Sequence, residues 1–370
     1  SGKIPSISLT SAKFMFPIMQ FAPRVLAFYS ALPIDKGTSM KVLTSRALPS
    51  LCPISGRKPR KVCIGLVQTR WYESPDLHIQ RIHEGVSACA EAGASVVFLP
   101  ELTLNRYPAD TKPVNAADTS AEDLLEGPSF SLASDLAREC DVHVQISLFE
   151  KSGAADRRGL NTSVIVSPNG EKIGHTHKLH IPITEGYFED YYFSQGSADN
   201  PYPVHTLELD GHDLKVGNPT CWDEWFPEVA RSYALAGADL LCYPTAIGSE
   251  PDYPDFDTSP MLHQVIIGHA IANGLFIAVP NRFGFEGRIT FYGRSLLVDP
   301  FGRIIIQAER DEETAIVAEI DLGQRDDWLN LFPFFATRRP DTYGKITEEI
   351  MNSGLPDGQT EDRESPGIGK

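Results

Sequence analysis

Between residues 61 and 322, short apolar runs of strand length alternate with segments of helical periodicity, and turn signatures break the alternation at two places. KVCIGLVQT (61–69) reads as a strand buried on both faces, because its apolar residues run almost without interruption. SPDLHIQRIHEGVSACAEAG follows, with Ser74 placed as an N-cap, Pro75 at the first helical position and Gly93 as a stop. Leu77, Ile82, Val86 and Cys89 keep the spacing of one helical face. SVVFLPE (95–101) is then a short strand ending on a carboxylate, a helix is predicted near 129–140, and DVHVQISLFE (141–150) is the next strand. NTSVIVSPNGEKIGHTHKLH is a hairpin turning at Pro-Asn-Gly, and RSLLVDPFGRIIIQAE repeats the design with DPFG as its turn. Between the hairpins lie LKVGNPT (214–220), a helix over about 227–236, DLLCYP (239–244), a helix near 258–273 and LFIAVPN (275–281). TAIVAEIDL (314–322) adds a last strand. This order predicts mixed sheets with helices on their outer faces, in one α/β domain spanning 61–345.

Composition narrows the function classes. Residues 1–60 carry nine Lys or Arg against a single acid, Asp35, while the remaining 310 residues carry 24 bases against 48 acids. An acidic body argues against nucleic acid and anionic membrane and is compatible with a cationic ligand. No apolar run reaches membrane-span length. The six cysteines lie far apart with no CxxC pair, which fits a reducing, cytoplasmic setting and supports neither a disulfide framework nor a zinc knuckle. No nucleotide-binding glycine fingerprint follows a strand, so no cofactor is expected. The basic, Ser-rich extension 1–60 suits an organelle transit peptide and equally a start assigned too early, with Met40 as the next initiator. The polar, Gly/Pro-rich tail 346–370 is expected to be disordered.

Three ionisable residues each close a strand-like run: Glu101, Lys178 and Cys221. Ligands collect beyond the carboxyl ends of strands in α/β sheets, so the three can converge there. Singly, each has a plainer reading as a solvated glutamate, a surface lysine or a packed cysteine. Cys221 is also followed by Asp223, Glu224 and Glu228, and negative neighbours hold a thiol protonated. Together the three solve a chemical problem. A thiol with a pKa of about 8.5 is only a few per cent thiolate at neutral pH. A nearby ammonium favours the thiolate, and a carboxylate can take the proton as general base. After attack on a C=O or C≡N carbon, Lys178 and the backbone N–H of Trp222 can receive the developing negative charge. The set is self-consistent for covalent hydrolysis of an amide-like bond, although spacing alone does not single it out.

The segments FLPELTL, HKLHIP, GYFEDYYF, CWDEWFPEVAR, YPTAIGSEP and RRPDTY resemble the nitrilase (carbon–nitrogen hydrolase) superfamily, in order and across 61–345. CWDEWFPE and YPTAIGSEP are most similar to its N-carbamoylputrescine amidase branch. The resemblance implies a four-layer α-β-β-α sandwich with two mixed β-sheets. It places a Glu–Lys–Cys triad on Glu101, Lys178 and Cys221 and a second active-site glutamate on Glu189. It further implies hydrolysis of an N-carbamoyl amine to free amine, carbon dioxide and ammonia through an S-carbamoyl enzyme, a role in polyamine biosynthesis, and assembly into a homo-oligomer.

Departures from the branch bear on substrate choice. LTLNRYPADT replaces an aromatic-rich segment after the first glutamate, SPMLHQVIIGHA replaces a Trp-containing basic helix, and Pro219 stands two residues before the cysteine. Tyr107, Trp222 and Glu250 are the expected substrate-binding residues, with Glu250 suited to a distal ammonium. The rivals are an amidase or nitrilase acting on another small amide or nitrile, and a non-catalytic assembly module. A metal hydrolase using His175, His177 and His180 is a further rival, weakened because Lys178 in their midst repels a cation. No metal site is therefore expected.

Overall fold

The computed structural model describes residues 40–113, 120–153, 158–209 and 211–348. In chain order, β1 (Lys41–Ser45), β2 (Lys61–Gln68), α1 (Pro75–Glu91), β3 (Val96–Phe98), α2 (Pro128–Cys140) and β4 (His143–Glu150) come first. The hairpin β5 (Leu160–Val166) and β6 (Lys172–His177) follows, then β7 (Val204–Leu209), β8 (His212–Gly217) and α3 (Pro227–Leu235). Next are β9 (Leu240–Cys242), α4 (Ser259–Asn273), β10 (Phe276–Val279) and a second hairpin, β11 (Phe283–Glu286) with β12 (Ile289–Tyr292). β13 (Leu296–Val298), β14 (Ile304–Gln307), β15 (Thr314–Asp321) and α5 (Gly323–Leu331) complete the series.

Two mixed sheets stack on each other. The first runs β1-β15-β2-β3-β4-β5-β6 and the second β14-β13-β10-β9-β8-β7. Because side chains alternate along a strand, each sheet feeds two cores. Ile64, Leu66 and Phe98 of the first sheet meet Val216, Leu240 and Phe276 of the second in an inter-sheet core. Val67 and Val97 point the other way, onto Ile82 and Val86 of α1 and Leu132 and Leu136 of α2. On the far side, Leu241 and Ile277 pack under Val229 and Tyr233 of α3 and Leu262 and Ile266 of α4. The result is the four-layer α-β-β-α arrangement that the sequence resemblance implied.

Local signals explain most element ends. The Ser74 side chain accepts from Leu77 N–H at the start of α1, and Gly93 just past its end adopts φ +94°. β3 stops three residues short of Glu101, since Leu99 N–H turns aside to Gln145 Oε1 and Pro100 has no N–H to give. β8 ends at Gly217 rather than Thr220 for the same reason, Pro219 breaking the ladder.

Residues 41–60 differ from expectation. β1 pairs in parallel with β15, from Lys41 opposite Thr314 to Ser45 opposite Ala318, so the sheet begins inside the segment set aside as an extension. Arg57 then pairs with Asp321 and Asp327, both at 2.8 Å. A basic composition hid a strand whose partner lies some 270 residues away. Residues 1–39, which hold most of the transit-like segment, and 349–370 of the tail lie outside the described residues. Among the described residues no helix is long and apolar enough to cross a membrane.

Candidate active site

Glu101 lies just beyond β3, Lys178 directly after β6, and Cys221 four residues beyond β8, so both sheets deliver side chains to one place. Lys178 Nζ donates to Glu101 Oε1 at 2.8 Å and to Glu189 Oε2 at 2.7 Å. Asn161 Nδ2 donates to the same Glu101 oxygen at 2.7 Å, and the Tyr107 hydroxyl donates to Glu189 Oε1 at 2.7 Å. Glu101 Oε2 is buried and has no hydrogen-bond partner among the described residues. Lys178 has three N–H donors and places two of them on these carboxylates, leaving one free.

Cys221 opens a short 3₁₀-helix, Cys221–Trp225, with φ +41°, a left-handed conformation that a side chain rarely adopts. Its N–H donates to Pro244 O at 3.0 Å, which fixes the turn against the loop after β9. Cys221 keeps 6% of its residue surface exposed, while Glu101 and Lys178 have none.

The electrostatics follow from one cation among several acids in a dry site. Burial pushes the Cys221 thiol well above its ordinary value, and Glu101 adds to this more than Lys178 relieves it. Burial raises Glu189 to about 7, with Lys178 opposing and Glu101 reinforcing the shift. Burial works against the Lys178 charge, but Glu101 and Glu189 outweigh it and hold the ammonium well above its ordinary range. The resting site is therefore a protonated thiol beside a bridged pair of carboxyls.

Asp223 and Glu224, which the sequence left unexplained, take different parts. Asp223 Oδ1 accepts from His180 N at 3.0 Å and lies 2.7 Å from His180 Nδ1, while Oδ2 accepts from Thr220 N at 3.1 Å. It ties the turn bearing Cys221 to the chain just after Lys178. Glu224 is fully buried, its Oε2 accepts from the Thr245 hydroxyl at 3.4 Å and from nothing else among the described residues, and burial holds its carboxyl well above the usual range.

The other expected residues are placed as follows. Tyr107 is buried with its hydroxyl engaged by Glu189. Trp222 is half-buried, its ring 6.4 Å from that of Trp225. Glu250 is half-buried, and after burial its charge is the largest influence raising the Tyr187 hydroxyl, with smaller contributions from Cys221 and Glu189. Of the histidines of HTHKLH, His175 and His177 have ring centroids 5.0 Å apart, but His177 Nε2 faces Glu150 at 3.2 Å and His180 faces Asp223, and among the described residues no three metal-ligating side chains come together. Asn161, Arg282 and Glu286 were not anticipated. None of the three carries a local sequence signal: Asn161 sits beside Thr162 and Ser163, and Arg282 lies between β10 and β11.

Two stacked mixed sheets with a buried carboxylate–ammonium–carboxylate set at their strand ends define a hydrolase fold of the nitrilase superfamily. A model of the carbon–nitrogen hydrolase family matches residues 63–329, and the chain belongs to that family of amide-hydrolysing enzymes. It is 33% identical to a citrullinase from Francisella tularensis over 77% of this chain and 98% of the relative. It is 32% identical to an N-carbamoylputrescine amidase from Solanum tuberosum over 77% of this chain and 95% of the relative. Among solved structures, a carbon–nitrogen hydrolase from Helicobacter pylori G27 superposes with a TM-score of 0.70 at 28% identity, covering 79% of this chain and all of that one.

Proposed function

We propose that this enzyme hydrolyses an N-carbamoyl amine through a covalent intermediate on Cys221. The observation that carries the reading is the Glu101–Lys178–Glu189 set held against a cysteine on a left-handed turn. Glu101 Oε2, the carboxylate oxygen without a partner, takes the thiol proton as sulfur attacks the carbamoyl carbon. The third N–H of Lys178 and the Trp222 backbone N–H receive the oxyanion. The tetrahedral adduct collapses by breaking its bond to the terminal nitrogen, and Glu101 returns the proton so that ammonia leaves. Water, activated by Glu101, then attacks the S-carbamoyl carbon. Glu189, held by Tyr107 and Lys178, keeps the ammonium oriented through both halves. The released carbamate falls apart into carbon dioxide and the free amine.

Glu250 supports an amine at the far end of the substrate. Its carboxyl is half-buried, has no ion pair among the described residues, and is raised by burial alone. An ammonium placed there relieves that desolvation. The named relatives fit, since citrulline and N-carbamoylputrescine both combine a ureido end with a distal amine.

A panel of N-carbamoyl amines, N-carbamoyl amino acids, simple amides and nitriles tests the reading. Carbon dioxide released together with ammonia is expected. A carboxylic acid product from a preferred amide or nitrile would assign a different substrate class. Unchanged turnover by Cys221→Ala would remove the covalent mechanism.

A further inference from the structure

One buried ion pair has no part in the chemistry above. Arg282 and Glu286, with side chains 4% and 3% exposed, are paired through Arg282 Nη1 at 2.9 Å. A buried pair of this kind contributes little net stability compared with apolar side chains of the same volume. What it touches is more informative. Arg282 Nη2 donates to Glu101 O at 2.8 Å and to Leu102 O at 3.0 Å, and it also reaches Asn105 O at 3.2 Å. Leu102 has φ +48°, so the chain turns sharply straight after Glu101 and takes these carbonyls out of any strand ladder. The guanidinium fork supplies the donors that the turn requires. Glu286 Oε2 accepts from Tyr107 N–H at 2.9 Å, at the other end of the same segment.

The contacts close a ring. Arg282 holds the backbone of Glu101, and Glu286 holds the backbone of Tyr107. The Tyr107 hydroxyl holds Glu189, and Lys178 joins Glu189 back to Glu101. We propose that the Arg282–Glu286 pair is a positioning element that sets the places of both active-site carboxylates at once. Arg282 acts on Glu101 through its carbonyl, and Glu286 acts on Glu189 through Tyr107. This rests on the functional reading above, in which Glu101 and Glu189 serve Cys221.

The test uses the full chain with Arg282→Lys and Glu286→Gln. The lysine keeps the charge but cannot fork over several carbonyls; the glutamine keeps an acceptor for Tyr107 N–H but loses the charge pair. Arg57→Met, which breaks a pair with Asp321 and Asp327 away from the site, is the control for lost stability alone. Two quantities are measured. One is the rate of Cys221 alkylation by iodoacetamide against pH, read on the Cys221 peptide by mass spectrometry, which needs no substrate. The other is kcat and KM on whichever compound the panel identifies.

For Arg282→Lys, kcat is expected to fall about 10- to 100-fold with KM within about threefold, because a shift of about 1 Å in a catalytic group is enough for that loss. The alkylation midpoint is expected to move by about half a pH unit or more, because the cluster titrates as one. Glu286→Gln changes both quantities in the same direction by less, and Arg57→Met lowers Tm and changes neither. Wild-type kcat and an unshifted alkylation curve in folded Arg282→Lys would overturn the proposal, and so would an equal kcat loss in Arg57→Met. If Arg282→Lys does not fold, Glu286→Gln decides by the same two readouts. If the panel yields no substrate, the functional reading fails while the alkylation curve still decides the positioning.

Discussion

The ammonium of Lys178 bridges Glu101 Oε1 and Glu189 Oε2 at 2.8 and 2.7 Å, with all three side chains no more than 2% exposed. Removing the cation leaves two carboxyls buried against each other. Lys178→Met is expected to lower stability by about 3–5 kcal/mol, the usual result of breaking a buried pair from one side. Its kcat is expected to fall about 10³-fold, because in the proposed mechanism the same nitrogen supplies an oxyanion donor. Urea unfolding and steady-state kinetics on the purified variant measure both. A variant as stable as the parent would mean that the carboxyls share a proton and need no cation.

Glu189 links activity and stability to pH in opposite directions. Its carboxyl is raised from 4.5 to about 7 in the folded chain, by burial first. A raised acid favours folding in its protonated form, so its contribution is complete below about pH 4.5 and is lost as pH rises through about 7. The proposed mechanism needs Glu189 ionised, so kcat is expected to rise over the same window. In Glu189→Gln the activity limb near pH 7 disappears and unfolding free energy between pH 5 and 8 becomes flatter. A wild-type acid limb near pH 4, unmoved by the substitution, would remove Glu189 from the titrating cluster.

Glu224 is a buried acid whose carboxyl is held well above its usual range, by burial first and then by Glu101. Glu224→Gln keeps the shape and mimics the protonated form that burial favours, so activity at pH 7 is expected to stay within about threefold and stability within about 1 kcal/mol. The difference appears in alkali. The wild-type contribution is lost as pH rises through the raised value, whereas glutamine cannot ionise, so the variant should gain on the parent as pH rises. Melting curves across pH 6–10 test this, and parallel curves would show that Glu224 is already ionised in the native state.

The segment before β2 belongs to the folded unit. Deleting residues 1–60 removes β1 and leaves Asp327, whose side chain is fully buried, without Arg57. A loss of several kcal/mol is expected, because the same deletion removes Cys52, Ile54 and Arg57, which contact Asp327. Arg57→Met should reproduce most of it. If the truncated chain unfolds at the same urea concentration as the full one, β1 and the Arg57 cluster contribute nothing.

Elements with local signals were legible in the sequence. Ser74, Pro75 and Gly93 bracketed α1, and the DPFG turn between β13 and β14 carries φ +81° at Gly302. β1 was not, because KVLTS has no period of its own and is defined by its register on β15. β11 and β12 escaped as well, since FGFEGRITFY breaks its alternation at glycines that take φ +91° and +63°. In the site, Glu101, Lys178, Cys221 and Glu189 could be located through separate motifs. Asn161, Arg282 and Glu286 could not: Arg282 and Glu286 stand four apart, but the site groups that they and Asn161 hold lie tens to hundreds of positions away. Three-dimensional proximity without local spacing leaves no pattern to read.

The turn at Cys221 carries a wider consequence. A side chain at φ +41° strains the backbone by roughly 1–3 kcal/mol, and glycine would relieve most of it. Heat tolerance and chemistry therefore make opposite demands on a single α-carbon. A chain released from the second demand would drift toward glycine at that position and gain stability as it lost its proposed nucleophile.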